Sequence, residues 1–176
     1  CRENVLFRIA LSLCVALALG VAAVHAADEE PYQNPTDRVP PPSDWKVERH
    51  NAMKARVLEG TADLLFVGDS ITQGWENGGK EVWDYYYADR NAVNLGTSGD
   101  RTYHVLWRLD DLDFSKVSPK LAVIMIGTNN REMHTGEQIA EGVTAIVDNL
   151  RQKLPEMEIL LLGIFPREKT PDAEYR

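Results

Sequence analysis

Residues 63–72 read Asp63-Leu64-Leu65-Phe66-Val67-Gly68-Asp69-Ser70-Ile71-Thr72. Four apolar residues in a row end at a glycine, with polar residues directly behind. A short run that is apolar on both faces suits a strand of a parallel sheet covered by helices on both sides. The pattern recurs. Ala92-Val93-Asn94-Leu95 is a weaker second run, Leu121-Ala122-Val123-Ile124-Met125-Ile126 a third ending in Gly127, and Ile159-Leu160-Leu161-Leu162 a fourth ending in Gly163. Helical segments are predicted between them, at 81–88, at 102–109 with Val105, Leu106 and Leu109 on one side, and at 137–154. In the last, Ile139, Val143, Ile146, Val147, Leu150 and Leu154 follow helical spacing. Thr135 and Gln138 make a capping box in front of it, and Pro155 ends it. Strands alternating with helices predict an α/β fold with a parallel, doubly wound sheet. No internal repeat is present.

Upstream, Ser43 or Asp44 can cap a helix running to about Leu58 and stopped by Gly60, with Trp45, His50, Met53 and Val57 as its buried stripe. Residues 28–44 hold five prolines and little apolar content, which reads as an extended leader on the surface or free. Residues 9–24 (IALSLCVALALGVAAV) carry no charge, follow Arg2 and Arg8, and precede Val24-His25-Ala26. The run is shorter than the roughly 20 residues of a membrane span, so it reads as a signal peptide cleaved near Ala26, against the alternative of an uncleaved anchor. The expected organisation is a signal peptide at 1–26, a Pro-rich extended leader at 27–44 and one α/β domain at 45–176, incomplete at its C-terminal end. The expected location is secreted or periplasmic, with no stable membrane insertion after cleavage. The 176 residues suit one domain, and 19 Lys+Arg against 27 Asp+Glu leave a net charge of −8. That surplus of acid argues against nucleic acid and anionic membrane as partners, which need a basic footprint. Cys1 and Cys14 are the two cysteines, which excludes a disulfide framework and a Cys-based zinc site in the body of the chain.

In doubly wound sheets the loops after the carboxyl ends of the strands converge, and ligands bind there. Those loops carry Gly68-Asp69-Ser70-Ile71-Thr72, then Gly96-Thr97-Ser98-Gly99-Asp100-Arg101-Thr102, then Gly127-Thr128-Asn129-Asn130. Ser70, Gly99 and Asn129 stand about 30 residues apart, roughly the length of one strand-helix-strand crossover, so the three loops are expected to be neighbours. Ser70 would present a hydroxyl and a backbone N–H at the start of a helix, Gly99 an N–H unobstructed by a Cβ, and Asn129 a side-chain amide. Three donors around a hydroxyl are what acyl transfer needs to hold a tetrahedral intermediate. Taken singly, each loop also reads as a turn, a cap or a strand end with local hydrogen bonds. Their joint occurrence, in order, is the stronger signal.

These blocks resemble those of the SGNH (GDSL-type) esterases and lipases. The longer stretches Gly99-Asp100-Arg101-Thr102-Tyr103-His104-Val105-Leu106-Trp107-Arg108-Leu109 and Ile126-Gly127-Thr128-Asn129-Asn130 look like the branch containing the catalytic subunits of platelet-activating factor acetylhydrolase type Ib. The resemblance covers about Trp45 to Arg167. It implies a flavodoxin-like α/β/α fold with strand order 2-1-3-4-5, Ser70 as nucleophile, and an oxyanion hole from Ser70 N–H, Gly99 N–H and the Asn129 side chain. Asp69 would support the nucleophile turn, an assignment that overlaps with plain helix capping. No metal or organic cofactor is implied. The expected activity is that of an exported serine esterase acting on short-chain, acetyl-type esters of carbohydrate or lipid through an acyl-enzyme.

One departure stands out. The family's Asp-x-x-His block does not occur in these 176 residues, and the chain ends just after the fourth strand. The expectation is a polypeptide short of the fifth strand and the base-bearing loop, by about 50 residues or more, and inactive as it stands. Of His25, His50, His104 and His134, only His134 falls in a loop on the expected face. It reads either as a substitute base or as a rim histidine, while His104 reads as a packed residue. The alternative function is a non-catalytic carbohydrate- or ester-binding module using the same cleft. A flavodoxin-like nucleotide binder is the weaker third reading, because Gly68 and Gly74 around Ser70 do not make a phosphate-cradling loop.

Overall fold

The computed structural model describes residues 33–166. The leader at 1–26, with Cys1, Cys14 and His25, lies outside them. Four parallel strands, β1 (Leu64–Gly68), β2 (Ala92–Asn94), β3 (Leu121–Met125) and β4 (Glu158–Leu161), form one sheet in the order β2-β1-β3-β4. This is the predicted parallel α/β architecture and the first four strands of the implied order. The helices are α1 (Asp44–Leu58), the single turn α2 (Ser70–Gln73), α3 (Lys80–Tyr86), α4 (Thr102–Asp111) and α5 (Gly136–Lys153).

The two faces of the sheet separate by the two-residue period of a strand. Leu65, Val67, Val93, Ala122 and Ile124 belong to the main core, with Met53 and Val57 of α1, Val105, Leu106 and Leu109 of α4, and Ile146 and Leu150 of α5. Most of these are fully buried, and each such side chain is worth about 1.5–3 kcal/mol against leaving it in water. On the other face, Phe66 packs in an aromatic cluster with Trp75, Trp83 and Tyr87, with ring centroids 5.0 to 6.4 Å from its own. Both faces of β1 are covered, and all five of its residues are buried. The apolar run that announced the fold is thus its central strand.

Two expectations are corrected. Trp45 is not part of the buried stripe of α1 and is 46% exposed. At about 100° per residue it stands roughly 140° round the helix from His50, off the face that carries His50, Met53 and Val57. Among the described residues β4 is not covered on both faces, unlike the doubly covered strand its apolar run suggests. Its place at the edge of the sheet is the one expected of a chain short of the fifth strand, and Leu160 and Leu161 are about half exposed. In the described part of the Pro-rich leader, residues 33–44, Pro35 and Pro41 are buried, and the segment is tied to α4: Thr102 Oγ1 donates to Pro35 O at 2.8 Å, and Val39 N–H to Tyr103 O at 3.4 Å.

Candidate active site

Gly68 closes β1 and sets the turn that follows. A Cβ there would lie 2.1 Å from Thr72 Oγ1 and 2.4 Å from Met125 O, so only glycine lets α2 fold back against β3. Asp69 is buried and caps α2, its carboxylate accepting the Ile71 N–H at 2.9 Å. Ser70 is therefore the first residue of α2, and it is exposed. One turn of helix carries little macrodipole, so what Ser70 brings is its hydroxyl and its own N–H.

The second loop is pinned from below. Asp100, fully buried, takes the Arg108 guanidinium on both oxygens at 2.6 and 3.3 Å, with Lys46 Nζ 3.7 Å away. Burial pushes the Asp100 carboxyl up from the ordinary range, against the pull of Arg108 and Lys46. On this base Gly99 holds φ at +73°, a left-handed conformation that side-chain-bearing residues rarely adopt. Gln73 Oε1 accepts the Ser98 N–H at 2.7 Å, which ties this loop to α2.

Asn129 joins the third loop to the second. Its Nδ2 donates to Asp100 O at 2.9 Å, and its own carbonyl accepts from Arg101 Nε at 2.9 Å. Asn130, fully buried, bonds Thr102 twice, its Oδ1 accepting the Thr102 N–H and its Nδ2 donating to Thr102 Oγ1, each at 3.0 Å. A cleft of about 230 Å³ opens at this end of the sheet, lined by Ser70, Ile71, Thr128, Asn129, Phe165 and Pro166. Ser70 and Asn129 share its wall. Gly99 is not among its lining residues, and its loop connects to the cleft through the Asn129–Asp100 bond. A larger cavity of about 760 Å³, which includes Pro119, Leu121, Pro155 and Glu158, lies at the amino ends of β3 and β4, away from these loops.

Among the described residues no histidine hydrogen-bonds Ser70. His134 Nε2 lies 2.7 Å from Gln33 O, which can only accept, so that nitrogen carries the proton; Nδ1 then accepts from Asn130 Nδ2 at 3.3 Å. His104 is buried, and its Nδ1 accepts the Arg101 N–H at 3.2 Å. Burial, reinforced by the charges of Lys46, Arg101 and Arg108, lowers its pKa to about 3. His50 bonds Asp111 at 2.8 Å, beside the Trp107 ring. Sequence reasoning named Ser70, Asp69, Gly99 and Asn129 but passed over Arg101, Asn130 and Phe165. Asn130 sat inside a quoted block, yet no periodicity marks a polar residue as buried.

A family model for GDSL-like lipases and acylhydrolases matches residues 66–176. The human platelet-activating factor acetylhydrolase Ib subunit alpha2 is 36% identical over 126 residues, 72% of this chain and 54% of that protein. The human subunit alpha1 is 32% identical over 148 residues, 84% of this chain and 63% of that protein. The chain thus spans a little over half the length of these curated relatives. A Bacteroides fragilis structure assigned as an acylhydrolase superposes with a TM-score of 0.55 at 21% identity, over 70% of this chain and 60% of its own. One from Streptococcus pneumonia, assigned as a platelet activating factor, gives 0.54 at 20%, over 73% and 61%. At that identity the likeness speaks for the fold. The relatives correct the expectation of a secreted or periplasmic location, because the acetylhydrolase Ib subunits are cytosolic. Among the described residues no helix is long and apolar enough to cross a membrane. The matched model runs from the middle of β1 through β4 and takes in the loops that carry Ser70, Gly99 and Asn129: the chain belongs to the GDSL-like lipase/acylhydrolase family.

Proposed function

We propose that the full-length protein is a serine acylhydrolase that splits short-chain, acetyl-type esters through an acyl-enzyme. The observation that carries this reading is the cleft itself, where an exposed serine hydroxyl and the Asn129 amide share one wall. The choice of a short acyl group follows the acetylhydrolase names of the relatives at 36% and 32% identity. Ser70 Oγ attacks the ester carbonyl and gives its proton to a base. The oxyanion takes the Ser70 and Gly99 N–H groups and the free N–H of Asn129. The C–O bond breaks, the alcohol leaves with the proton, and water releases the acid from Ser70. The base is the histidine of the family's Asp-x-x-His block, which these 176 residues do not contain. Assayed alone they therefore turn over p-nitrophenyl acetate far more slowly than the full-length protein. In the full-length protein, Ser70→Ala abolishes turnover and Asn129→Ala lowers kcat by ~10²–10³. Near-normal turnover by Ser70→Ala would overturn the assignment.

A non-catalytic ester- or carbohydrate-binding module would use the same cleft. One observation favours it, the lack of any described histidine bonded to Ser70. Saturable ester binding by the full-length protein without release of product would establish it.

A further inference from the structure

Arg101 stands where the second loop becomes α4, with Arg101 itself as the N-cap. Its Nε donates to the Asn129 carbonyl at 2.9 Å, and its Nη1 donates to the Tyr103 hydroxyl at 2.9 Å. Tyr103 is 1% exposed, so the guanidinium is braced against a ring that the core holds still. The neighbouring Asp100 accepts the Asn129 side-chain amide at 2.9 Å. Two consecutive residues of one loop thus hold Asn129 at both ends: the Arg101 side chain binds the Asn129 main-chain carbonyl, and the Asp100 main-chain carbonyl binds the Asn129 side-chain amide.

A primary amide has two N–H groups. One of Asn129's is spent on Asp100, and the other remains on the residue that shares the cleft wall with Ser70. The direction of that second N–H is set by the amide plane, and the plane by the two anchors. A carbonyl free to tilt would swing the amide about the Asp100 bond, and a donor displaced by an ångström loses much of its worth. Arg also suits the task better than Lys would, because its planar fork reaches two acceptors at a fixed spacing.

We propose that Arg101 is a positioning residue for the oxyanion hole, acting through Asn129 rather than on the substrate. The inference rests on the reading of Asn129 as an oxyanion donor. It adds a residue to which the family resemblance gives no role.

The test is a double-mutant cycle in the full-length protein, with Arg101→Met, Asn129→Ala and the pair, assayed on p-nitrophenyl acetate. Arg101→Met lowers kcat by ~10–10²-fold with KM within about twofold, and Arg101→Lys recovers part of the loss. In the Asn129→Ala background, Arg101→Met costs less than about twofold more, because the group it positions is gone. Phenylboronic acid, which forms a tetrahedral anion on a serine, binds more weakly to Arg101→Met than to the parent protein, while ester binding to Ser70→Ala is unchanged by adding Arg101→Met. Should Arg101→Met not fold, Arg101→Lys carries the same cycle. Multiplicative losses in the double variant, or a raised KM at unchanged kcat, overturn the proposal. If Asn129→Ala itself costs nothing, the oxyanion reading fails instead, and the two failures are told apart by that single variant.

Discussion

His104 is a titratable side chain carried into the core by a helix whose residues 102–106 are all buried. It is 3% exposed and keeps its ring neutral. Burial is the main cause of that neutrality, and two further features reinforce it. Nδ1 must be an acceptor to take the Arg101 N–H, and three cations, Lys46, Arg101 and Arg108, disfavour a fourth charge. The folded pKa, about 3, lies below the ordinary value of 6.5. The unfolded chain therefore binds a proton through that interval and the folded one does not. The stability contributed by neutral His104 is complete above about pH 6.5 and is lost progressively as pH falls toward 3, with a limiting slope of ~1.4 kcal/mol per pH unit. His50, whose pKa burial also lowers, adds in the same direction. Replacing His104 by Gln keeps a polar group without the titration. The urea midpoint of His104→Gln, followed from pH 7 to pH 4, is lower throughout but falls less steeply than that of the parent. Parallel pH profiles would show that folding does not lower the His104 pKa.

At the scale of elements, the N-terminus of α5 offers the cleanest measurement. Thr135 Oγ1 accepts the Gln138 N–H at 3.3 Å, and Gln138 Oε1 accepts the Thr135 N–H at 2.9 Å, the reciprocal pair expected from the sequence. Thr135→Ala removes one half and leaves an end donor of the helix to water, at a cost of about 1 kcal/mol. Denaturant unfolding detects that loss as a lower midpoint with an unchanged slope. The cap was legible because its signal is local, two residues three apart before an apolar stripe. The strands were legible for the same reason, and their bounds differ by a residue where hydrogen bonding rather than hydropathy sets them. β4 starts at Glu158, whose N–H bonds Lys120 O, and not at Ile159. The nucleophile loop could be read because Gly-Asp-Ser lies in consecutive positions. What escaped were pairings across long stretches of chain. Gln33 with His134, Pro35 with Thr102 and Arg101 with Asn129 are separated by 101, 67 and 28 residues. None leaves a periodicity, since a polar group buried against a distant carbonyl looks the same in sequence as one in water. Trp45 escaped for the opposite reason, because hydropathy named it and helix geometry placed it outside.

Across the whole molecule the two faces of the sheet are covered unequally. The main core runs continuously under β2, β1 and β3 against α1, α4 and α5. The opposite face is closed at β1 by Trp75, Trp83 and Tyr87, then opens: Val123 is half-buried, and Leu160, its partner in register, is 49% exposed. Ile164 and Phe165 add 45% and 59% exposed apolar side chains beyond the strand. The outer edge of β4 has no neighbouring strand among the described residues. Residues 157–165, MEILLLGIF, carry one charge and no proline, and an unpaired apolar strand edge is a template for pairing with another chain. We expect residues 33–166 expressed alone to self-associate through β4. Leu160→Lys places a charge on the open face at a side chain already half exposed, so it should shift the sedimentation profile toward monomer while stability falls by less than about 1 kcal/mol. Leu65→Lys, on the covered face of β1, should instead abolish folding, because it buries an unpaired ammonium in the core. If the parent fragment sediments as a monomer at every concentration, the open face is not an adhesive one, and the half-exposed leucines of β4 are tolerated as any scattered surface leucine is.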